Sequence, residues 1–143
     1  MNIARTIDAP AHILWDLLTD TQAWPVWGPT VAGAQCATRH IESGSQGTVK
    51  TAVGLSLPFE VTTFEPLYRW NWRVAGVHAT GHRLVHLSEH QTRVIIEIPW
   101  IAAPYALVCK VALERLERMA LERSSAPVVE ARSADADRSG PRA

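Results

Sequence analysis

The chain has 143 residues, 47% of them hydrophobic and 20% charged, which suits one globular domain with a real core. Fourteen basic residues balance fourteen acidic ones, so the total charge gives no electrostatic case for nucleic acid or an anionic membrane as partner. No apolar run reaches the roughly 18 residues of a spanning helix, no charged-then-apolar leader opens the chain, and Cys36 and Cys109 lie far apart; together these predict a soluble, cytoplasmic protein with free thiols.

Ile3 to Ile7 reads as a first strand. Asp8 is placed to cap the next helix, with Pro10 in its first turn and Ile13, Leu14, Leu17 and Leu18 at helical spacing. Thr21 to Trp27 reads as a short helix or turn, broken by Pro25 and closed by Gly28-Pro29. Beyond Pro29 the apolar period changes from 3.6 to about 2. Strands are then expected at Val31–Ile41, Thr48–Val53, Leu57–Phe64, Tyr68–Val74, Val77–Ser88 and Thr92–Pro99, joined by short polar turns. In the fourth of these, Tyr68, Trp70, Trp72 and Val74 share one face.

Ile101 to Arg123 carries the longest helical pattern, with Pro104 in its first turn. Ile101, Tyr105, Val108, Cys109, Ala112, Leu116, Met119 and Ala120 form one apolar stripe, and Lys110, Glu114, Glu117 and Arg118 lie opposite. Small residues at Cys109 and Ala112 either pack closely on the sheet or leave space beneath the helix. Ser124 to Ala143 is rich in Ser, Ala, Asp and Arg and reads as a disordered tail behind a domain of residues 1–123. Consecutive strands with short turns favour an α+β fold: a curved antiparallel sheet of six or seven strands wrapped around the last helix, with two short helices after strand one.

IDAPAHILWDLLTD, AWPVWGPTV, FEPLYRWNW and the pair GHRLVHL and TRVIIEIP occur in this order. That series resembles the START and birch-pollen-allergen superfamily, also called SRPBCC, and its polyketide cyclase/dehydrase-like members. The resemblance covers residues 1 to about 123. It implies a helix-grip fold around an apolar pocket for a lipid, sterol, hormone, quinone or polyketide, and transfers no catalytic motif. One departure stands out: the last hairpin turn, Glu89-His90-Gln91, lacks the usual glycine.

His78, His82 and His86 share parity with Thr80 and Leu84 on one strand. The resemblance implies that this face lines the interior; the alternative is a solvated row, with Val77, Ala79, Val85 and Leu87 inside. Neighbouring histidines lie about 13 Å apart at Cα, too far for one zinc, and no HxH or CxxC adds ligands, so neither a metal nor another cofactor is expected. For acid/base chemistry the candidates are His82, placed deepest, with His86 or Tyr68 orienting a substrate. The expected pocket lining is Trp27, Val61, Trp70, Trp72, His78 and Leu84, facing Tyr105, Val108, Cys109 and Ala112 of the helix; ordinary core packing is the competing account of the aromatic residues. Trp24 and Trp27 suit either a lid or a turn anchor. Glu60 and Glu97 face water unless buried, where a raised pKa would suit a general acid.

Three functions follow: binding of a small apolar molecule, catalysis of the cyclase, aromatase or dehydratase type, or a chaperone-activator-like interaction module. The first is preferred. A homodimer is left open.

Overall fold

A computed structural model describes residues 1–138, with side chains described except at 100, 101, 103 and from 126 onward. The chain runs β1 (Asn2–Ile7), α1 (Ala11–Thr19), α2 (Trp24–Trp27), β2 (Val31–Cys36), β3 (Gln46–Thr51), β4 (Ser56–Glu65), β5 (Arg69–Val74), β6 (Val77–Ser88) and β7 (Gln91–Glu97). A 3₁₀ segment, Trp100–Tyr105, then leads into α3 (Ala106–Arg138). All neighbouring strands pair antiparallel in the order β1-β7-β6-β5-β4-β3-β2, so the first strand closes against the last. This is the helix-grip arrangement, with seven strands.

Alternation along the strands aims one face at the helices. Val49, Phe59, Val61, Trp70, Leu84, Val94 and Ile96 point inward and are buried. From α3, Cys109, Ala112, Leu113, Leu116 and Ala120 come down on them. From α1, Leu14, Leu17 and Leu18 fill one half of the interior, and α1 packs on both α3 and β6. The other half is less full. There α3 gives way to the 3₁₀ segment, with Pro104 inside it and a kink at Ala102, so Pro104 precedes the long helix and is not in its first turn.

Several local expectations are corrected. Asp8 does not cap α1; its carboxylate accepts from Gln91 Nε2 at 3.0 Å, and the cap position is Pro10. Pro25 starts α2 and does not break it, because a first-turn proline lacks only a donor that would be unpaired anyway. β2 ends at Cys36, and Ile41 is buried in the following loop. The glycine-free turn after β6 works because Glu89 and His90 keep negative φ, and a register shift between His86 and Ser88 absorbs the twist. α3 runs on from Arg123 to Arg138, across part of the segment expected to be a tail, and residues 139–143 lie outside the described residues. Among the described residues, no helix is long and apolar enough to cross a membrane.

Candidate functional site

Two adjoining chambers occupy the looser half of the interior. The inner one, about 60 Å³, is walled by Trp24 and Trp27 of α2, Trp70 and Trp72 of β5, His82 of β6, Ile96 of β7, Tyr105 at the end of the 3₁₀ segment, and Val108, Cys109 and Ala112 at the head of α3. The outer one, about 370 Å³, is walled by Val49, Thr51, Leu57, Val74, His78, Ala79, Pro99 and Ala102. Thr30, Val31, Trp72, Thr80 and Tyr105 belong to both walls and form the neck.

The walls are rigid for identifiable reasons. A helix leaves its last carbonyls unpaired. Two of those of α1 accept from indoles: Trp24 Nε1 donates to Leu18 O and Trp27 Nε1 to Leu17 O, each at 2.9 Å. Both tryptophans are buried, so they serve as anchored wall and not as a lid. Trp24 stacks on Trp70 with ring centroids 5.6 Å apart and meets Trp72 edge-on at 5.3 Å.

The polar atoms form a short chain across the neck. Trp72 Nε1 donates to Thr80 Oγ1 at 3.2 Å, and Thr80 Oγ1 lies 3.2 Å from His82 Nε2. His82 Nδ1 lies 3.4 Å from the carbonyl oxygen of Trp70, and its ring stacks on Trp70 at 4.0 Å. Since that carbonyl can only accept, Nδ1 carries the proton and Nε2 accepts from the Thr80 hydroxyl. On the facing side, Thr30 Oγ1 and the Tyr105 hydroxyl are hydrogen-bonded at 2.5 Å.

Burial decides the charge of the wall. It lowers His82 to a pKa of about 4, against the weaker opposing effect of the Trp70 carbonyl. It pushes the Cys109 thiol up to about 11 and raises the Tyr105 phenol. All three groups on the inner wall are therefore neutral at pH 7. Burial disfavours the charged form of acids and bases alike, and no counter-charge is close enough to reverse it.

Residues 1–124 match the family described as polyketide cyclase / dehydrase and lipid transport. The chain belongs to this family. Solved structures show the same fold at low identity. MLL2253 from Mesorhizobium loti is 16% identical with a TM-score of 0.67, over 87% of this chain and 97% of that one. The di-domain ARO/CYC StfQ of the steffimycin biosynthetic pathway is 14% identical with a TM-score of 0.65, over 84% of this chain and 44% of StfQ. DynU16, a putative protein in the dynemicin biosynthetic locus, is 21% identical with a TM-score of 0.60, over 82% and 45% of the two chains. No curated protein matches.

Within this member of the family, the expected lining divides. Trp27, Trp70, Trp72, His82, Tyr105, Val108, Cys109 and Ala112 meet at the inner chamber, and His78 reaches only the outer one. Val61 and Leu84 are buried in the core but border neither chamber; Leu84 lies on β6, against which α1 packs. Tyr68 and His86 are corrected outright. Tyr68 precedes β5, in the turn, and is 56% exposed; His86 stacks on it at 4.7 Å and meets the Leu67 carbonyl at 2.8 Å, away from both chambers. Neither can orient a ligand beside His82.

The alternative orientation of β6 also falls, since Val77 and Leu87 are exposed while His82 and Leu84 are buried. Glu60 is exposed and Glu97 half-buried on the outer face of the sheet, in no position to serve the chamber. Thr30 and Thr80 line both chambers and were not in the expected lining, although Thr80 shares the parity of His82. A cluster of Asp16, Asp20 and His40 has ligand atoms within 4.8 Å of one another, but His40 and Arg123 hold Asp16 and a two-pronged Arg39 holds Asp20. Burial pushes the Asp20 carboxyl up, and the hydrogen bonds from Arg39 and the Gln22 amide outweigh it and leave the pKa lowered.

Proposed function

We propose that the protein binds a flat, uncharged, largely apolar molecule of the lipid or polyketide kind between sheet and C-terminal helix. The observation that carries this reading is the pair of adjoining chambers, walled by four tryptophans and bridged by a neck of hydroxyl groups. Rings offer a ligand large contact area at little entropic expense, and a few polar atoms at a constriction fix its orientation. The neutral His82, Tyr105 and Cys109 favour a ligand without charge, since a buried ion would find no counter-charge there. Thr30, Thr80 and Tyr105 supply hydroxyls suited to a ligand carbonyl or hydroxyl.

The test is retention of a small molecule by the purified protein, read by native mass spectrometry, in wild type and Ala112→Phe. The added ring fills the inner chamber at a cost of about 1–3 kcal/mol in stability. Loss of the retained species in the variant supports the reading; full retention would refute it.

A second reading is an enzyme of the cyclase, aromatase or dehydratase type, and one observation favours it: His82 is a titratable group on the inner wall with Nε2 toward a hydroxyl. With a pKa of about 4 it is a neutral acceptor at pH 7 and not a proton donor in the imidazolium form. Its role would be to draw on the Thr80 proton and make Thr80 Oγ1 a stronger acceptor for a substrate hydroxyl. His82→Phe should then abolish turnover and leave the fold intact, and undiminished turnover would eliminate the role.

A further inference from the structure

The zero net charge conceals an uneven distribution along the barrel axis. Antiparallel pairing brings four segments to the outer chamber's mouth: the start of β2, the β3–β4 turn, the β5–β6 turn and the link from β7 into α3. The Ala52 amide donates to the Thr30 carbonyl at 2.9 Å and ties two of them together. Residues 28–31, 50–56, 73–78 and 98–111 contain no Asp or Glu; their charged residues are Lys50, Arg73 and Lys110. The opposite end carries Asp8, Glu42, Glu65 and Glu89, set among Arg39 and Arg69, so it mixes both signs. Glu60 lies on the outer face of the sheet directly across from Arg73 and offsets its charge; Glu97 lies on the same face, and Glu114 one turn beyond Lys110 on α3.

The mouth is also apolar where turns are normally polar. Val53 is 83% exposed, Leu55 60%, Val77 67% and Leu107 74%. Turn geometry does not require them: the positive φ angles of the two hairpins are taken up in part by Gly54 and Gly76. Single exposed apolar residues are ordinary. Four of them come from two hairpins and a helix start at the mouth end, with Lys50 and Lys110 on the same elements; the opposite end exposes Leu67, Tyr68 and Leu87, each less than 60%.

We infer that this rim docks on an anionic lipid bilayer, with Val53, Leu55, Val77 and Leu107 entering the interfacial layer and Lys50 and Lys110 meeting headgroup phosphates. Side chains projecting from separate loops need a partner that yields around each of them. A fluid interface does so, whereas an acidic protein surface offers the charge without the penetrable apolar layer. Docked this way, the aperture faces the membrane, and an apolar ligand of the kind proposed above would enter without crossing water. That last clause rests on the ligand-binding reading; the docking does not.

Flotation of the full chain with vesicles tests the docking without any ligand, so its failure and that of the ligand reading are separable. One set is phosphatidylcholine alone and the other phosphatidylcholine with phosphatidylglycerol. Wild type should float with the anionic set and lose binding as salt rises. Val53→Asp with Leu55→Asp should weaken flotation roughly tenfold or more, while Leu87→Asp at the opposite end leaves it unchanged. Melting temperature and circular dichroism establish that the variants are folded. If the double variant does not fold, Lys50→Glu with Lys110→Glu takes its place, with the same expected loss on the anionic set. Flotation with neither set, undiminished flotation of the rim variants, or capture by an acidic protein in the absence of flotation would overturn the inference.

Discussion

β6 carries the same small motif twice. In its middle, His82 stacks on Trp70 at 4.0 Å and faces a main-chain carbonyl of that residue. Four residues on, His86 stacks on Tyr68 at 4.7 Å and faces the carbonyl of Leu67. Both histidines point to the same side of the strand and both aromatic partners come from the neighbouring segment. Yet His82 is 3% exposed and Tyr68 56%. The difference lies in what stands opposite. Across from His82 are α2 and the head of α3; His86, near the far end of β6, has no such layer over it among the described residues. Side-chain direction sets which face a residue is on, and only the covering layer sets whether that face is dry.

The comparison can be broken most forcefully at the aromatic partners. Trp70→Ala should destabilise by about 3–5 kcal/mol, since it leaves a cavity in a stack that also holds Trp24 and Trp72. Tyr68→Ala should fall far below that in the same denaturant titration. Equal losses would mean that the surface pair is structural after all.

Acid sharpens the contrast next. The folded state holds His82 at about 4, below the unfolded value near 6.5. Unfolding therefore takes up a proton in that window. The stabilisation is fully present above pH 6.5 and drains away as pH falls to about 4, by about 3 kcal/mol in all. His82→Phe should remove this component from a series of unfolding curves taken between those two pH values; an unchanged profile would show that His82 is charged or solvated in the fold. The lowered pKa of Asp20 acts in the same sense at lower pH, its contribution fading as pH drops through the folded value.

Thr80→Val comes third. It leaves Trp72 Nε1 and His82 Nε2 without their shared hydroxyl and should cost about 1–3 kcal/mol, measured by chemical denaturation. The smallest effect belongs to His86→Ala, about 0.5 kcal/mol or less by the same measurement, as expected for an exposed side chain.

Much of the architecture could be read from residue order. Period-2 alternation located β6 at both ends, Val77 to Ser88, and found the inward face of β5 from Trp70 onward. The stripe through Cys109, Ala112 and Leu116 identified the buried side of α3. At the chamber, Val108, Cys109, Ala112, Trp70, Trp72 and His82 were recoverable because each sits inside a periodic element. The errors cluster at element ends. Tyr68 has the parity of Trp70 but lies beyond the start of β5. Val61 and Leu84 have the right parity and depth, yet neither borders a chamber; α1 packs on the strand of Leu84. Thr30 lies just before β2, where no period exists, and its bond to Tyr105 spans 75 positions of chain.

Alternation and spacing, then, already determined which side chains share a face, because a strand and a helix impose fixed directions on successive Cβ atoms. Which stretches of those faces are filled, hollow or wet was decided only by tertiary structure: by where α1 comes down, where the chain kinks at Ala102, and which turns gather at one end. Burial and hollowness are properties of two surfaces meeting, and a local pattern describes only one of them.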